Sequence, residues 1–247
     1  MNLEILLKSG ELTSFKQALK DGKKQCLFGL NAPTEGIFFS FSKHGIFLAG
    51  DLVTAETISA QANALGAKNK ILTSSFTNLF GIKDNSTFYE FIASVCDFLT
   101  GKLQGLIVLP EVLFERVPKE EDILKSIIKL DKNITFNSLI SRLIENGYTR
   151  VEQPARKGQF SVRGDIIDIW EISGTNLVRA MYFGDDLEKL QIVSSEDFSL
   201  LEEIDDIEIY PAVLKNLTKK NILSFKANIF YDEPKKLVQE AENFNSS

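Results

Sequence analysis

The sequence has few of the residues from which catalytic and metal sites are built. Its 247 residues include one histidine, His44, and two cysteines, Cys26 and Cys96, which stand far apart. This spacing supplies no set of metal ligands, and buried thiols in a reducing compartment are the usual role of such cysteines. No Ser or Cys can be placed beside His44 from the sequence. We therefore expect neither a catalytic residue nor a metal site.

Positive charge is also scarce in the chain as a whole. Lys and Arg number 28 against 34 Asp and Glu, which gives a formal net charge of −6. Nucleic-acid binding requires clustered basic residues, so this balance argues against a whole-surface contact but permits a local basic patch. The sequence has no basic N-terminal leader and no apolar run near the roughly 20 residues that cross a bilayer. We expect a cytoplasmic protein without membrane contact.

The first part of the chain alternates short apolar strands with helices. The predicted strands are 25–30, 45–50, 70–73 and 105–110, and the predicted helices are a pair within 1–24 followed by 37–41, 54–65 and 88–99. This alternation is typical of a parallel sheet that is covered on both faces. The sequence therefore predicts an α/β lobe over residues 1–118.

The segment from Gly29 to Gly36 lies where a phosphate-binding loop would join a strand to a helix. A working loop needs a lysine for the phosphates and a Ser or Thr for magnesium. Those two positions hold Glu35 and Gly36. Because a carboxylate repels a triphosphate, the sequence predicts a degenerate loop in a lobe like that of P-loop NTPases, with no bound cofactor.

The second part changes to strands in hairpin order. A helix over 138–146 precedes predicted strands at 149–153, 159–170, 177–183 and 187–193, with a turn at 184–186. These elements predict an inserted α+β domain with an antiparallel sheet over 119–210. Residues 211–247 are expected to return to the first lobe, where a strand at 228–231 could complete its sheet.

Two arginines in the second part, Arg150 and Arg163, are candidates for binding. Apolar and polar residues alternate over 160–169, which predicts one continuous strand with one buried face. Basic side chains on such a sheet offer donors to an acidic partner surface, although surface ion pairs without function are an alternative. Asp165 and Asp168 are expected to pair with Arg or Lys across the sheet, and the acidic run 202–206 is expected to be a solvated loop.

Four motifs in this part resemble a known family. They are G-Y-T-R-V-E-Q at 147–153, G-Q-F-S-V-R-G-D-I-I-D-I at 158–169, F-G-D-D-L-E at 183–188 and I-Y-P-A at 209–212. In this order and spacing they resemble the UvrA-interaction domain that transcription-repair coupling factors (Mfd) share with the excision nuclease subunit UvrB. The resemblance implies UvrA as the partner, with Arg150, Phe160, Ser161 and Arg163 at the interface. Ser161 stands where UvrB has an arginine.

The N-terminal part favours one branch of this family. UvrB keeps a working phosphate loop and a tyrosine-rich hairpin for damaged DNA, and neither is visible here. The strings L-I-V-L-P at 106–110 and L-F-E-R-V-P at 113–118 also resemble the coupling factors. The resemblance therefore implies the N-terminal part of such a factor, a non-catalytic module that recruits UvrA in transcription-coupled nucleotide excision repair.

Two alternatives stay open at this point. The chain could be a UvrB-like ATPase or helicase lobe or a DNA-binding repair subunit, or it could dock on the family's translocase domain and restrain it. Coupling factors continue into an RNA-polymerase-binding domain and an ATP-dependent DNA translocase, and neither is found in these 247 residues. Contacts with RNA polymerase and DNA are expected only through those regions, and this chain is not expected to be an enzyme.

Overall fold

The computed structural model describes residues 10–21, 32–74 and 86–231. The helices are α1 (Gly10–Lys20), α2 (Ala32–Ser40), α3 (Leu52–Ala64), α4 (Ser86–Leu99), α5 (Glu120–Ser126) and α6 (Phe136–Glu145). The strands are β1 (Gly45–Leu48), β2 (Asn69–Leu72), β3 (Gly105–Val108), β4 (Ile128–Leu130), β5 (Thr149–Arg150), β6 (Gln159–Arg163), β7 (Ile166–Trp170), β8 (Leu177–Phe183), β9 (Asp186–Val193), β10 (Leu200–Ile204), β11 (Ile207–Ile209) and β12 (Asn228–Tyr231). None of the described helices is long and apolar enough to cross a membrane.

The chain divides into two compact units. The first comprises Met1–Ser74, Thr100–Glu115 and Lys220–Ser247, and the second comprises Ser75–Leu99 and Arg116–Lys219. Helix α4, which was expected in the first lobe, groups with the second unit in this division.

The first unit contains a parallel sheet in the order β12-β1-β3-β2. Strands β1 and β3 are buried along their whole length, as their apolar sequences require when both faces of a sheet are covered. The rings of Phe39, Phe47 and Phe230 pack edge-on or stacked in the core beside β12. The predicted α/β architecture is confirmed, including the strand that the C-terminal part adds to this sheet.

The segment predicted as a phosphate-binding loop, residues 29–36, is helical from Ala32 onward. Helix α2 begins at Ala32, so Glu35 and Gly36 lie inside it, while Gly29 and the predicted strand 25–30 lie outside the described residues. A Cβ atom at Gly36 would lie 2.6 Å from the Cβ of Gln61, and the Gly36 amide donates to Gln61 Oε1 at 3.1 Å. The glycine therefore permits close packing against α3.

The second unit contains a six-stranded sheet in the order β10-β9-β8-β7-β6-β5, and a separate pair of β4 and β11. All neighbours in the larger sheet are antiparallel except β5 and β6, which run parallel. The predicted antiparallel sheet and helix α6 are confirmed, whereas α5, β4 and β11 were not predicted. One face of the sheet is apolar and buried, with Phe160, Ile167, Ile169, Val178, Ala180 and Leu190.

Two predictions in this unit are corrected. Residues 159–170 form the hairpin β6–β7, with Arg163 paired to Ile166 across a two-residue turn, instead of one strand. Gly164 has a φ of +59°, a conformation that glycine adopts readily. The acidic run at 202–206 begins within the edge strand β10, where Glu203 accepts from Gln191 on β9 at 3.0 Å. Residues 202–204 therefore belong to a strand, whereas Asp205 and Asp206 follow it and are exposed as predicted.

Candidate functional site

The six-stranded sheet has a second face that carries polar and charged side chains. One cross-strand row consists of Ser161, Asp168, Arg179 and Gln191. The next row, nearer the hairpin turns, consists of Arg163, Ile166, Met181 and Lys189. Because side chains alternate between the faces along a strand, both rows lie opposite the buried face that contains Phe160. We call these eight residues the polar face.

A buried carboxylate lies at the centre of the polar face. Asp168 is completely buried, and its Oδ2 accepts from Arg163 Nη2 at 2.6 Å. Its Oδ1 accepts from Arg179 Nε at 2.7 Å, and Arg179 Nη2 lies 3.1 Å from Oδ2. Charge-assisted hydrogen bonds of this kind are short and strong, and they satisfy a carboxylate that burial would otherwise destabilise. The predicted pairing of Asp168 is confirmed, and two guanidinium groups face one carboxylate.

The two arginines differ in their access to solvent. The side chain of Arg163 is 53% exposed, whereas that of Arg179 is 19% exposed. A guanidinium group has five N–H donors, and Asp168 engages one nitrogen of Arg163. Arg163 is therefore the member of this cluster that can donate further hydrogen bonds to a partner.

An aromatic ring lies against both guanidinium groups. The ring centroid of Phe198, from the turn between β9 and β10, lies 5.6 Å from Arg163 Cζ and 5.8 Å from Arg179 Cζ. Both distances fall within the range of cation–π attraction. Phe198 was not identified from the sequence, and no local pattern indicates it, because its contacts depend on a turn that is distant from both arginines in the chain.

Arg150 is exposed at the edge of the sheet, on the short strand β5. Strand β5 pairs in parallel with β6, and Arg150 is in register with Phe160. Alternation along β6 places Phe160 and Arg163 on opposite faces. The register therefore aligns the two predicted arginines with different faces of the sheet and does not bring them into one cross-strand row.

Two other predicted interface residues lie in the interior. Phe160 is 0% exposed and packs on the apolar face, and Ser161 is 1% exposed on the polar face. Neither side chain is accessible to a partner in this structure, and their place at an interface stays a prediction. The sequence could not make this distinction, because alternation shows that neighbouring residues lie on opposite faces but does not identify the buried face.

An exposed aromatic residue extends the polar face toward the hairpin turns. Phe183 follows Met181 by two residues on β8, which places it on the same face, and 74% of it is exposed. Aromatic residues and arginine are enriched at protein interfaces relative to the rest of the surface. The signal in the sequence was the aromatic residue directly before the Gly184-Asp185 turn.

Several motif residues build the scaffold instead of the surface. The hydroxyl of Tyr148 donates to the carbonyl of Tyr210 at 2.8 Å, and the amide of Ala212 donates to the carbonyl of Asn146 at 2.8 Å. These bonds join the last motif to Tyr148 of the first motif and to Asn146, which directly precedes the first motif. Gly147 has a φ of +83°, as expected of the residue that ends α6.

A second buried carboxylate, Glu171, fixes this scaffold. Its Oε1 accepts from the Tyr210 amide at 3.2 Å, while its Oε2 accepts from the amides of Ser173 and Gly174 at 2.6 and 2.9 Å. Burial raises the pKa of Glu171 above its ordinary value of 4.5, although these bonds oppose the shift. Burial, together with the charge of Glu171, also raises the pKa of Tyr148.

The variant Glu171→Gln should reveal this pKa shift. Because the native state binds the proton more tightly than the unfolded state, the contribution of Glu171 to stability is fully present below pH 4.5 and is lost as the pH rises through its raised native pKa. The stability advantage of the wild type over the variant should therefore be larger at about pH 4 than at about pH 7. Thermal denaturation of both proteins at the two pH values measures this difference in stability. A difference that is constant or grows with pH would contradict the raised pKa of Glu171.

The described residues contain no group of three or more His, Cys, Asp or Glu side chains that could hold a metal ion. Cys96 is buried, and the carbonyl of His44 accepts from the Asn228 amide at 3.0 Å beside β12. Cys26 lies outside the described residues.

Comparison with known proteins agrees with the position of the polar face. Residues 127–214, which include strands β4 to β11, match the family model described as the UvrB interaction domain. We call residues 127–214 the interaction domain, after the family that they resemble. It contains Arg150, Arg163, Asp168, Phe183 and Phe198.

Curated relatives fall into the two groups that the motifs indicated. A transcription-repair-coupling factor of Bacillus subtilis is 26% identical over 224 residues, which cover 85% of this chain and 19% of the relative. A UvrABC system protein B of Prochlorococcus marinus is 32% identical over 91 residues, which cover 36% of this chain and 13% of the relative. A coupling factor of Mycobacterium bovis is 37% identical over 70 residues. The resemblance to coupling factors is confirmed, and the chain spans about a fifth or less of the length of these relatives.

Proposed function

We propose that this chain recruits UvrA through its interaction domain, as the non-catalytic N-terminal module of a transcription-repair coupling factor in transcription-coupled nucleotide excision repair. The observation that carries the proposal is the match of residues 127–214 to the UvrB interaction domain. The long alignment with a coupling factor, which extends beyond this domain, supports the coupling-factor assignment over UvrB.

Arg163 is the residue best suited to make the principal contact. It is half exposed, it belongs to a cluster with two guanidinium groups and one carboxylate, and Asp168 engages only one of its nitrogens. The remaining donors can form a bidentate contact with a carboxylate of UvrA, a geometry that lysine cannot reproduce. Phe183, 74% exposed on the same face of the sheet, would supply apolar contact area.

Arg150 contributes from the sheet edge. Its side chain is exposed, and among the described residues no ion pair to it is found. Because the register aligns it with the opposite face from Arg163, we propose that UvrA reaches it around the edge formed by β5. Its contribution should therefore be smaller than that of Arg163 and more sensitive to salt.

Competition with UvrB tests the proposal. If both proteins use the same type of domain, adding this chain to a preformed complex of UvrA with labelled UvrB should displace the label in a saturable way. The variant with Arg150 and Arg163 both changed to Ala serves as the matched control and should displace it far less. Failure of the wild-type chain to displace UvrB at any accessible concentration would contradict a shared binding site.

The second candidate function is a UvrB-like nucleotide-binding lobe, which the parallel sheet of the first unit favours. Against it, Glu35 and Gly36 occupy the positions of the lysine and the hydroxyl residue, and the Gly36 amide is bonded to Gln61. We propose that this lobe binds no nucleotide and that the chain has no enzymatic activity. The same polar face could instead dock on a translocase domain, which would use the same residues.

A fluorescent ATP analogue distinguishes the two functions. We expect no saturable, magnesium-dependent binding to this chain, because a carboxylate replaces the cation that phosphates require. UvrB, measured in parallel, is the positive control. Saturable binding that depends on magnesium would overturn the non-catalytic assignment.

A further inference from the structure

Phe198 has an unfavourable backbone conformation. Its φ is +62°, a left-handed value that is a genuine outlier for a bulky residue. The surrounding turn maintains it: the Phe198 amide donates to the carbonyl of Ser194 at 3.0 Å, and the Ser194 amide donates to the carbonyl of Ser199 at 2.9 Å. Asp197 Oδ1 accepts from the Ser199 amide at 3.1 Å. Strain that is maintained in this way suggests a use for the side chain.

The strained turn places the ring of Phe198 against Arg163 and Arg179. Each guanidinium group contacts the ring at under 6 Å from its centroid and also donates to the carboxylate of Asp168. Although Arg163 is half exposed, two sides of its guanidinium group are therefore engaged before any partner arrives. A long flexible side chain loses conformational entropy when it binds, and prior ordering reduces that loss.

We propose that Phe198 is a positioning residue that, with Asp168 and Arg179, holds the guanidinium group of Arg163 in the conformation that binds the partner. This inference rests on the proposed function, since it assigns Phe198 a role in the same UvrA contact. Phe198 increases affinity by restricting Arg163 and need not contact UvrA itself.

Two substitutions separate this role from a contribution to stability alone. Phe198→Gly removes the ring and relieves the left-handed strain, so the fold should retain its thermal stability. Phe198→Tyr keeps an aromatic face for both guanidinium groups. Under the proposal the glycine variant binds UvrA about 5–20-fold more weakly, while the tyrosine variant binds within about twofold of the wild type.

Calorimetric titration of UvrA with the full chain and its variants provides the test, with Arg163→Ala as the reference. If Arg163→Ala weakens binding but Phe198→Gly does not, the positioning role is wrong and the proposed function stands. If the wild type itself does not bind UvrA, the proposed function is wrong. NMR relaxation of the Arg163 Nε–H group in the free chain then decides the positioning role without a partner. Its order parameter should fall in Phe198→Gly and be retained in Phe198→Tyr, and an unchanged value in the glycine variant would overturn the inference.

Discussion

Changing Asp168 to Ala is expected to lower the free energy of unfolding of the interaction domain by roughly 3–5 kcal/mol, the range for breaking a buried ion pair. Asp168 is completely buried and accepts three hydrogen bonds from Arg163 and Arg179. Without it, the mostly buried guanidinium group of Arg179 loses its compensating charge. Arg163, being half exposed, regains solvation and contributes less to the loss.

The matched control for this prediction is Glu203→Ala. Glu203 is also a carboxylate in this sheet and pairs with Gln191 and Lys189, but its side chain is 59% exposed. Its removal should therefore cost less than about 1 kcal/mol. Urea denaturation followed by the fluorescence of Trp170, the single tryptophan and a neighbour of Asp168 on β7, measures both variants. If both variants lose the same free energy of unfolding, the buried cluster contributes no more to stability than an exposed pair, and the prediction is wrong.

The second large effect concerns binding. Arg163→Ala should weaken the affinity for UvrA by about 10–100-fold, because it removes the exposed guanidinium group while a partner carboxylate is left without its hydrogen bonds. The affinity of Arg163→Lys for UvrA should lie between those of Arg163→Ala and the wild type. Lysine keeps the positive charge but lacks the planar fork of donors. Equilibrium titrations of UvrA with each variant give the three affinities.

Lys189→Ala controls for charge alone. Lys189 lies in the same cross-strand row as Arg163 and is 59% exposed, but it pairs with Glu203 at 3.9 Å and lacks the fork of an arginine. We expect its loss to change the affinity by less than about threefold. If the two alanine variants weaken binding equally, the contact depends on net charge and the specific role of Arg163 is wrong.

The sequence predicted the two types of sheet because their hydrophobic patterns differ. Fully apolar runs such as β1 and β3 indicated buried parallel strands, and hairpin order indicated the antiparallel sheet. The β6–β7 turn was missed because the alternation of apolar and polar residues runs on through Gly164 and Asp165 to Ile166. The pattern changes phase only at the consecutive pair Ile166 and Ile167, which was the signal of the turn, together with Gly164, which has a positive φ.

The candidate site was predictable only in part. The motifs identified Arg163, and the cross-strand partner of Asp168 was anticipated as an Arg or Lys. Which basic residues approach that carboxylate depends on pairing among β6, β7 and β8, which a local pattern does not specify. The left-handed Phe198 could not be predicted, because bulky residues rarely adopt that conformation. The burial of Phe160 could not be predicted either, because it depends on tertiary packing.

We propose that the interaction domain binds UvrA through a surface of arginine donors. Calorimetric titration of purified UvrA with the full chain, at about 50 mM and about 300 mM salt, tests it most directly. We expect saturable binding at micromolar or lower concentration that weakens clearly at the higher salt concentration. No detectable binding at micromolar protein under either condition, or binding that is indifferent to salt, would contradict it.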